Sequence, residues 1–125
     1  MKINFLITGA AGFIGSHACE ALVKEYKNSK FLLFDKLTYA SNKKYLSKII
    51  KKKNVKFFKG DILNFVDLQK KLKNIDVAIN IAAESHVDNS FFSPLNFTKT
   101  NSLGAHAFFL ECIKKKVKKI LHVSS

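Results

Sequence analysis

A short apolar run that breaks into three evenly spaced glycines constrains this chain more than any other feature. Ile3, Phe5, Leu6 and Ile7 lead into Thr8, and Gly9, Gly12 and Gly15 follow in the string ITGAAGFIG. A helical pattern comes next, with Ile14, Ala18, Ala21 and Leu22 on one face. A buried strand, a tight glycine turn and a helix start, in that order, make a phosphate-binding corner. Gly9 allows the sharp turn off the strand. Gly12 lets backbone N–H groups approach a pyrophosphate, which the positive end of the helix helps to hold. Gly15 lets the helix lie close on the sheet. The spacing, G-x-x-G-x-x-G, is one residue longer in its first gap than the usual dinucleotide fingerprint.

The next apolar run, Phe31 to Phe34, ends in Asp35, 20 residues past Gly15. A carboxylate there accepts from the ribose hydroxyls of an adenosine and repels a 2′-phosphate, so the pattern points to NAD rather than NADP. The alternative for Asp35 is a strand-end aspartate that caps a turn.

At 125 residues the chain reads as one domain. No apolar run approaches the roughly 20 residues of a membrane span, and the N-terminal run stops too early for a signal peptide. Cys19 and Cys112 fall inside helical patterns and read as buried free thiols, which makes the cytoplasm the expected compartment. The formal charge is +13, yet all 22 basic residues are lysine. A reader of nucleic-acid bases would be expected to use arginine forks. The lysines are scattered, so no specific nucleic-acid role is expected, only salt-sensitive attraction to polyanions.

Further along, LTYASN leads to a short lysine-rich helix, Lys43 to Lys53, and a third strand, Val55 to Lys59. Gly60 and Asp61 precede a helix from about Asn64 to Lys73. A fourth strand, Val77 to Ala82, is apolar apart from Asn80. A small-residue loop runs from Ala83 to Ser90. The longest helix pattern, about Asn96 to Lys115, turns Leu103, Ala107, Leu110 and Ile113 inward, and a fifth strand spans Lys119 to Ser124. Such alternation predicts an α/β, Rossmann-type doubly wound parallel sheet of about five strands, with helices on both faces. In the order 3-2-1-4-5, strands one and four meet at the switch point, where the glycine turn and Ala82 to His86 share one crevice.

The strings ITGAAGFIGSH, DKLTYASN, KGDI and AAESHVDNS, with KTN at Lys99 to Asn101, resemble the extended short-chain dehydrogenase/reductase family, and within it most selectively the dTDP-glucose 4,6-dehydratases. The resemblance covers the whole chain and implies the N-terminal, NAD-binding portion of such an enzyme. By it, Phe13 and Ile14 pack beneath the pyrophosphate turn beside Gly9, Gly12 and Gly15. Asp35, Lys36, Leu37 and Thr38 surround the adenosine ribose, and Asp61 and Ile62 meet the adenine. Ile81, Ala82, Ala83, Glu84 and Ser85 run under the nicotinamide ribose, and Thr100 contacts the same half. Ser85 also touches the sugar of a nucleotide-sugar substrate. Asp61 is equally read as a helix N-cap, and both roles are compatible.

The family oxidises its sugar at C4, eliminates water across C5 and C6, and returns the hydride to C6. Ser125 matches its Ser/Thr catalytic position. The resemblance places the acid–base carboxylates, the catalytic Tyr-x-x-x-Lys and the substrate domain beyond it, and full-length members are expected to be homodimers. Neither Tyr26–Lys30 nor Tyr39–Lys43 is suited to be that pair, since it must lie by the nicotinamide. Asn89 stands where the family generally has arginine. His17, His106 and His122 show no metal-ligand spacing and read as packed or surface residues, and no metal site is expected. Three other readings stay open, of which two are a UDP-sugar epimerase or decarboxylase portion and a non-catalytic NAD-binding module. A lysine-rich polyanion-binding domain is the third.

Overall fold

The period-2 alternation of each strand divides its side chains between two cores. In the computed structural model, which describes residues 2–37, 42–61, 70, 73–81, 95 and 104–123, β1 (Asn4–Thr8) sends Phe5 and Ile7 to one face and Leu6 to the other. β2 (Lys30–Asp35) does the same with Phe31 and Leu33 against Phe34. β3 (Val55–Lys59) and β4 (Val77–Asn80) extend both layers through Val55 and Ile79 on the first face and Ala78 on the second. All pairs are parallel, and the order is β3-β2-β1-β4-β5, with β5 at Lys119–His122. This is the expected doubly wound order.

The first face is covered by α1 (Phe13–Glu25) through Cys19 and Val23, and by Leu46 and Ile49. The second is covered by α2 (Ala105–Lys114) through Phe108 and Cys112. Phe31, Phe34 and Phe108 are almost wholly buried, and each such side chain removed from water is worth about 1.5–3 kcal/mol.

Several sequence expectations need correcting. The stretch Lys43 to Lys53 is a 3₁₀ turn only over Lys43–Leu46, capped by the Asn42 side chain on the Lys44 N–H at 2.9 Å, and continues as turns. α1 buries Gly15, Ser16, Cys19 and Val23; of the expected face, Leu22 packs against the core and Ala18 is half-buried, whereas Ile14 and Ala21 are exposed. Ile14 is 62% exposed. The glycine, which alone can approach the Gly9 turn, sets the helix phase and rotates the bulkier neighbours outward. In α2, Ala105, Ala107, Phe108, Glu111 and Cys112 face in, whereas Leu110 and Ile113 face out. Apolar residues surround this helix, so periodicity alone does not choose its face, and the small residues let it approach the sheet. β4 ends at Asn80 and β5 at His122, each short of its expected end, although the Val123 N–H still donates to Asn80 O at 3.0 Å. The helix expected over Asn64 to Lys73 lies outside the described residues except Lys70 and Lys73. The loop Ala83 to Ser90 and residues 96–103 lie wholly outside them.

Cys19 and Cys112 are free and buried, as expected. Burial is the larger cause that pushes both thiols up to about 12, aided by the nearby charges of Asp35 and Glu111 respectively. Each raised value means the folded state holds its proton more tightly than the unfolded one. The stability this contributes is full below about pH 9.0 and is lost as pH climbs toward about 12. A thiol-reactive disulfide reagent at neutral pH is expected to label neither cysteine until denaturant is added. Rapid labelling of the folded chain would contradict this packing.

Among the described residues no helix is long and apolar enough to cross a membrane.

Candidate functional site

The glycine corner forms because each of two glycines is forced by geometry. Gly9 has a φ of 68°, in the left-handed region that admits glycine without strain, and turns the chain sharply off β1. A Cβ on Gly15 would overlap the carbonyl oxygen of Gly9, so only glycine lets α1 close on that turn. Gly12 is different. Among the described residues a Cβ there meets only the Gly9 oxygen, at an ordinary 3.5 Å, so their packing does not require a glycine. Its conformation is extended, and it caps α1 without a side-chain hydrogen bond. The Ser16 N–H is the first to find an acceptor within the helix, Gly12 O at 2.8 Å. The N–H groups of residues 13–15 precede it, and no acidic residue occupies the first turn.

Asp35 reaches into this corner from the neighbouring strand. Its Oδ2 accepts from the Ala11 N–H at 2.9 Å and its Oδ1 from the Leu37 N–H at 2.7 Å. The carboxylate thus ties the glycine turn to the end of β2. The reading of Asp35 as a strand-end aspartate that caps a turn is seen here. It does brace turns, and it does so while pointing at the glycine corner. A carboxylate has about four lone-pair directions, so two acceptances leave others for a ligand. Leu37 takes a φ of 60°, a strained conformation for leucine that the Asp35 bond helps to hold.

The far end of the DKLTYASN stretch returns to the same place, because the Asn42 N–H donates to Ala11 O at 2.9 Å. Ala11 is therefore bracketed by Asp35 on its N–H and by Asn42 on its carbonyl. Beside it, Lys36 Nζ lies 3.2 Å from Asp61 Oδ2, joining the tips of β2 and β3. Lys36 is mostly exposed and Asp61 partly buried, so the pair contributes at most about 1 kcal/mol. On the other side of the corner, the Ile81 N–H donates to Thr8 O and to Thr8 Oγ1, both at 3.2 Å, which fixes the end of β4 against the end of β1.

The structure thus brings Gly9, Gly12, Gly15, Asp35, Lys36, Leu37, Asp61 and Ile81 to one end of the sheet. Phe13 and Ile14 need correcting: they are 70% and 62% exposed and do not pack beneath the turn, because Gly15 and Ser16 occupy that inner face. Thr38, Ile62, Ala82, Ala83, Glu84, Ser85, Thr100 and Ser125 lie outside the described residues. Tyr26, first of the Tyr-x-x-x-Lys strings, follows the far end of α1, roughly 20 Å along the helix from the corner.

One polar chain at the strand ends is not apparent from sequence patterns. Thr8 Oγ1 donates to Asn80 Oδ1 at 2.6 Å, and Asn80 Nδ2 meets His122 Nδ1 at 3.1 Å. Thr8 and Asn80 are fully buried, whereas His122 is exposed, so the network runs from the buried ends of β1 and β4 out to the surface at β5. The only sequence signal was a single asparagine in an otherwise apolar strand. His17 makes a local bond instead, its Nδ1 lying 2.7 Å from Phe13 O. Among the described residues no group of three or more His, Cys, Asp or Glu side chains is placed to hold a metal ion.

Residues 6–125 match the sequence model of a family described as GDP-mannose 4,6 dehydratase. The chain belongs to this family. A dTDP-D-glucose 4,6-dehydratase from Dictyostelium discoideum is 46% identical over 124 residues, which cover 98% of this chain and 29% of that protein. Among solved structures, the dTDP-glucose 4,6-dehydratase DesIV from Streptomyces venezuelae, crystallised with NAD bound, superposes with a TM-score of 0.89 at 33% identity, covering 94% of this chain and 38% of that one. A UDP-N-acetylglucosamine 4-epimerase from Methanobrevibacter ruminantium gives a TM-score of 0.84 at 30% identity, covering 96% and 37% respectively. This member of the dehydratase family therefore spans about a third of the length of the relatives it matches, and dehydratases and epimerases share its fold.

Proposed function

We propose that this chain forms the NAD-binding part of a nucleotide-sugar 4,6-dehydratase acting on dTDP-glucose. The observation that carries the reading is the convergence of an uncapped helix start, a glycine with free space around it, and a buried carboxylate from the adjacent strand. These residues suit a dinucleotide. The N–H groups at the start of α1 and its positive end favour a diphosphate. Gly12 keeps the approach clear, Asp35 supplies acceptors for ribose hydroxyls, and Asp61 stands where an adenine amino group would donate. Phe13 and Ile14, at the exposed start of α1, flank the diphosphate rather than support it from below.

Bound NAD would supply a hydride acceptor and donor. The residues of this chain bind and orient it, with Ile81, Ala82, Ala83, Glu84, Ser85 and Thr100 assigned to the nicotinamide half. Ser85 and Ser125 are assigned to the sugar, and Ser125 is the catalytic candidate. The 46% identity to a dTDP-glucose dehydratase favours that substrate over the UDP-sugars of the epimerases. The complete enzyme is proposed to be a homodimer.

Calorimetric titration of the 125-residue chain at about 0.15 M salt, where long-range attraction is screened, is the test. NAD is expected to bind at least about tenfold more tightly than NADP, a difference of about 1.4 kcal/mol. Equal affinity, or heat from neither, would remove Asp35 from the ribose.

A further inference from the structure

At the opposite end of the sheet from the glycine corner, the starts of β1, β2 and β3 and the lead-in to β4 enclose a cleft of about 530 Å³. Among the described residues its lining includes five lysines, Lys2, Lys30, Lys53, Lys56 and Lys73, and no carboxylate. Among the described residues none of these five ammonium groups has an ion-pair partner; the acidic residues that do pair are Asp61, Glu20, Glu111 and Asp76, each with a lysine outside the lining. Five like charges around one concavity repel one another, and an anion that enters relieves all of them together.

The walls are held in place without using those charges. The Asn4 side chain donates to Asn74 O at 2.9 Å, and Asn54 donates to Ser29 O at 2.8 Å. The Ile3 N–H donates to Ser29 Oγ at 3.0 Å, and the Asn4 N–H to Asp76 Oδ2 at 2.9 Å. The four chain segments are thereby stitched together by their neutral groups and one carboxylate. Strand register sets the lysines further: Asn4 pairs with Lys30, and Leu32 with Lys56. Asn4, Lys30, Leu32 and Lys56 therefore share the sheet face that carries α2, with Lys30 and Lys56 two positions apart on adjacent strands. Scattered surface lysines on a basic protein would show neither the concavity nor the braced walls.

We propose that this cleft is a second anion site, which binds a small multivalent phosphate anion of the oligophosphate class. It is a separate site from the glycine corner. The six residues of β2 that connect the two place them about 16 Å apart at the usual strand rise. Lysines act as point charges that satisfy a flexible polyphosphate better than a planar carboxylate.

Sodium tripolyphosphate titrated into the ¹⁵N-labelled 125-residue chain at fixed ionic strength is expected to shift the amides of Lys30, Leu32, Lys56 and Asn74. The double variant Lys30→Gln/Lys56→Gln is expected to weaken binding by about tenfold. The control Lys24→Gln/Lys115→Gln, equal in charge removed, exposed and outside the cleft lining, is expected to weaken it by less than about twofold. These lysines are exposed, so unchanged circular dichroism checks that the fold persists. Equal weakening by both doubles would show attraction to overall charge and overturn the site. Shifts confined to residues 9–15, or no shifts at all, would overturn it as well.

Discussion

Replacing Gly15 with alanine is expected to destabilise this chain by about 2–3 kcal/mol, the scale of overpacking a tight interior. The added methyl would occupy the position of the Gly9 carbonyl, with Gly9 C at 2.9 Å and Ala10 Cα at 3.2 Å also in its way. These are backbone atoms and cannot rotate aside. The gain of about 1 kcal/mol from alanine's helix propensity is too small to offset the clash. For a chain of this size the loss corresponds to a fall in Tm of about 10 °C. Gly12→Ala is the internal comparison. Its methyl meets one oxygen at 3.5 Å, and its φ of −76° suits any residue, so stability should change by less than about 1 kcal/mol while the approach to the helix start is obstructed. Thermal unfolding of the two variants checks the pair. An unchanged Tm for Gly15→Ala would mean that α1 does not close on the glycine turn.

Asp35→Arg is expected to abolish measurable NAD binding, a loss above about 100-fold or roughly 2.7 kcal/mol. The change removes the acceptor proposed for ribose hydroxyls and fills the corner with a long cation. It also orphans the Ala11 and Leu37 N–H groups, each worth about 1–3 kcal/mol when buried without a partner. Stability and binding are therefore lost together, and a second variant separates them. Asp35→Asn keeps an oxygen to accept one of the two N–H groups and loses the charge and the second acceptor. It is expected to remain folded and to bind NAD about tenfold more weakly. If Asp35→Asn binds NAD as well as the parent while Tm falls, the residue is only a brace for the two turns.

The parts of this fold legible in the sequence are those written in local patterns. The strand–glycine–helix string, the apolar strands and their order follow from residues close in sequence. Gly9 and Gly15 were readable because no other residue tolerates their positions. Helix faces were not readable. In α1 and α2 apolar residues lie on more than one side, and the face is chosen by which residues are small enough to approach the sheet, Gly15 in one case and Ala105 and Cys112 in the other. The lysine-rich segment read as a helix instead forms one capped turn, since its lysines gain nothing from burial.

In the site, Asp35 was legible as a strand-end acid, but its grip on Ala11 and Leu37 was not. Those bonds join positions 24 residues apart and across a left-handed turn. The return of Asn42 to Ala11, and the relay from Thr8 through Asn80 to His122, span distances over which no residue pattern repeats. Asn80 alone gave a sign, as a polar residue in a strand covered on both faces, where burial demands a partner.

One corner of the sheet is proposed to hold the adenosine diphosphate of NAD. An amide NMR titration of the 125-residue chain with NAD tests this most directly. The amides of Ala11, Gly12, Phe13, Ile14 and Gly15 should shift together with Leu37 beyond β2, saturating along one binding curve. Shifts that leave these residues still, or that move the glycine turn without Leu37, would contradict it.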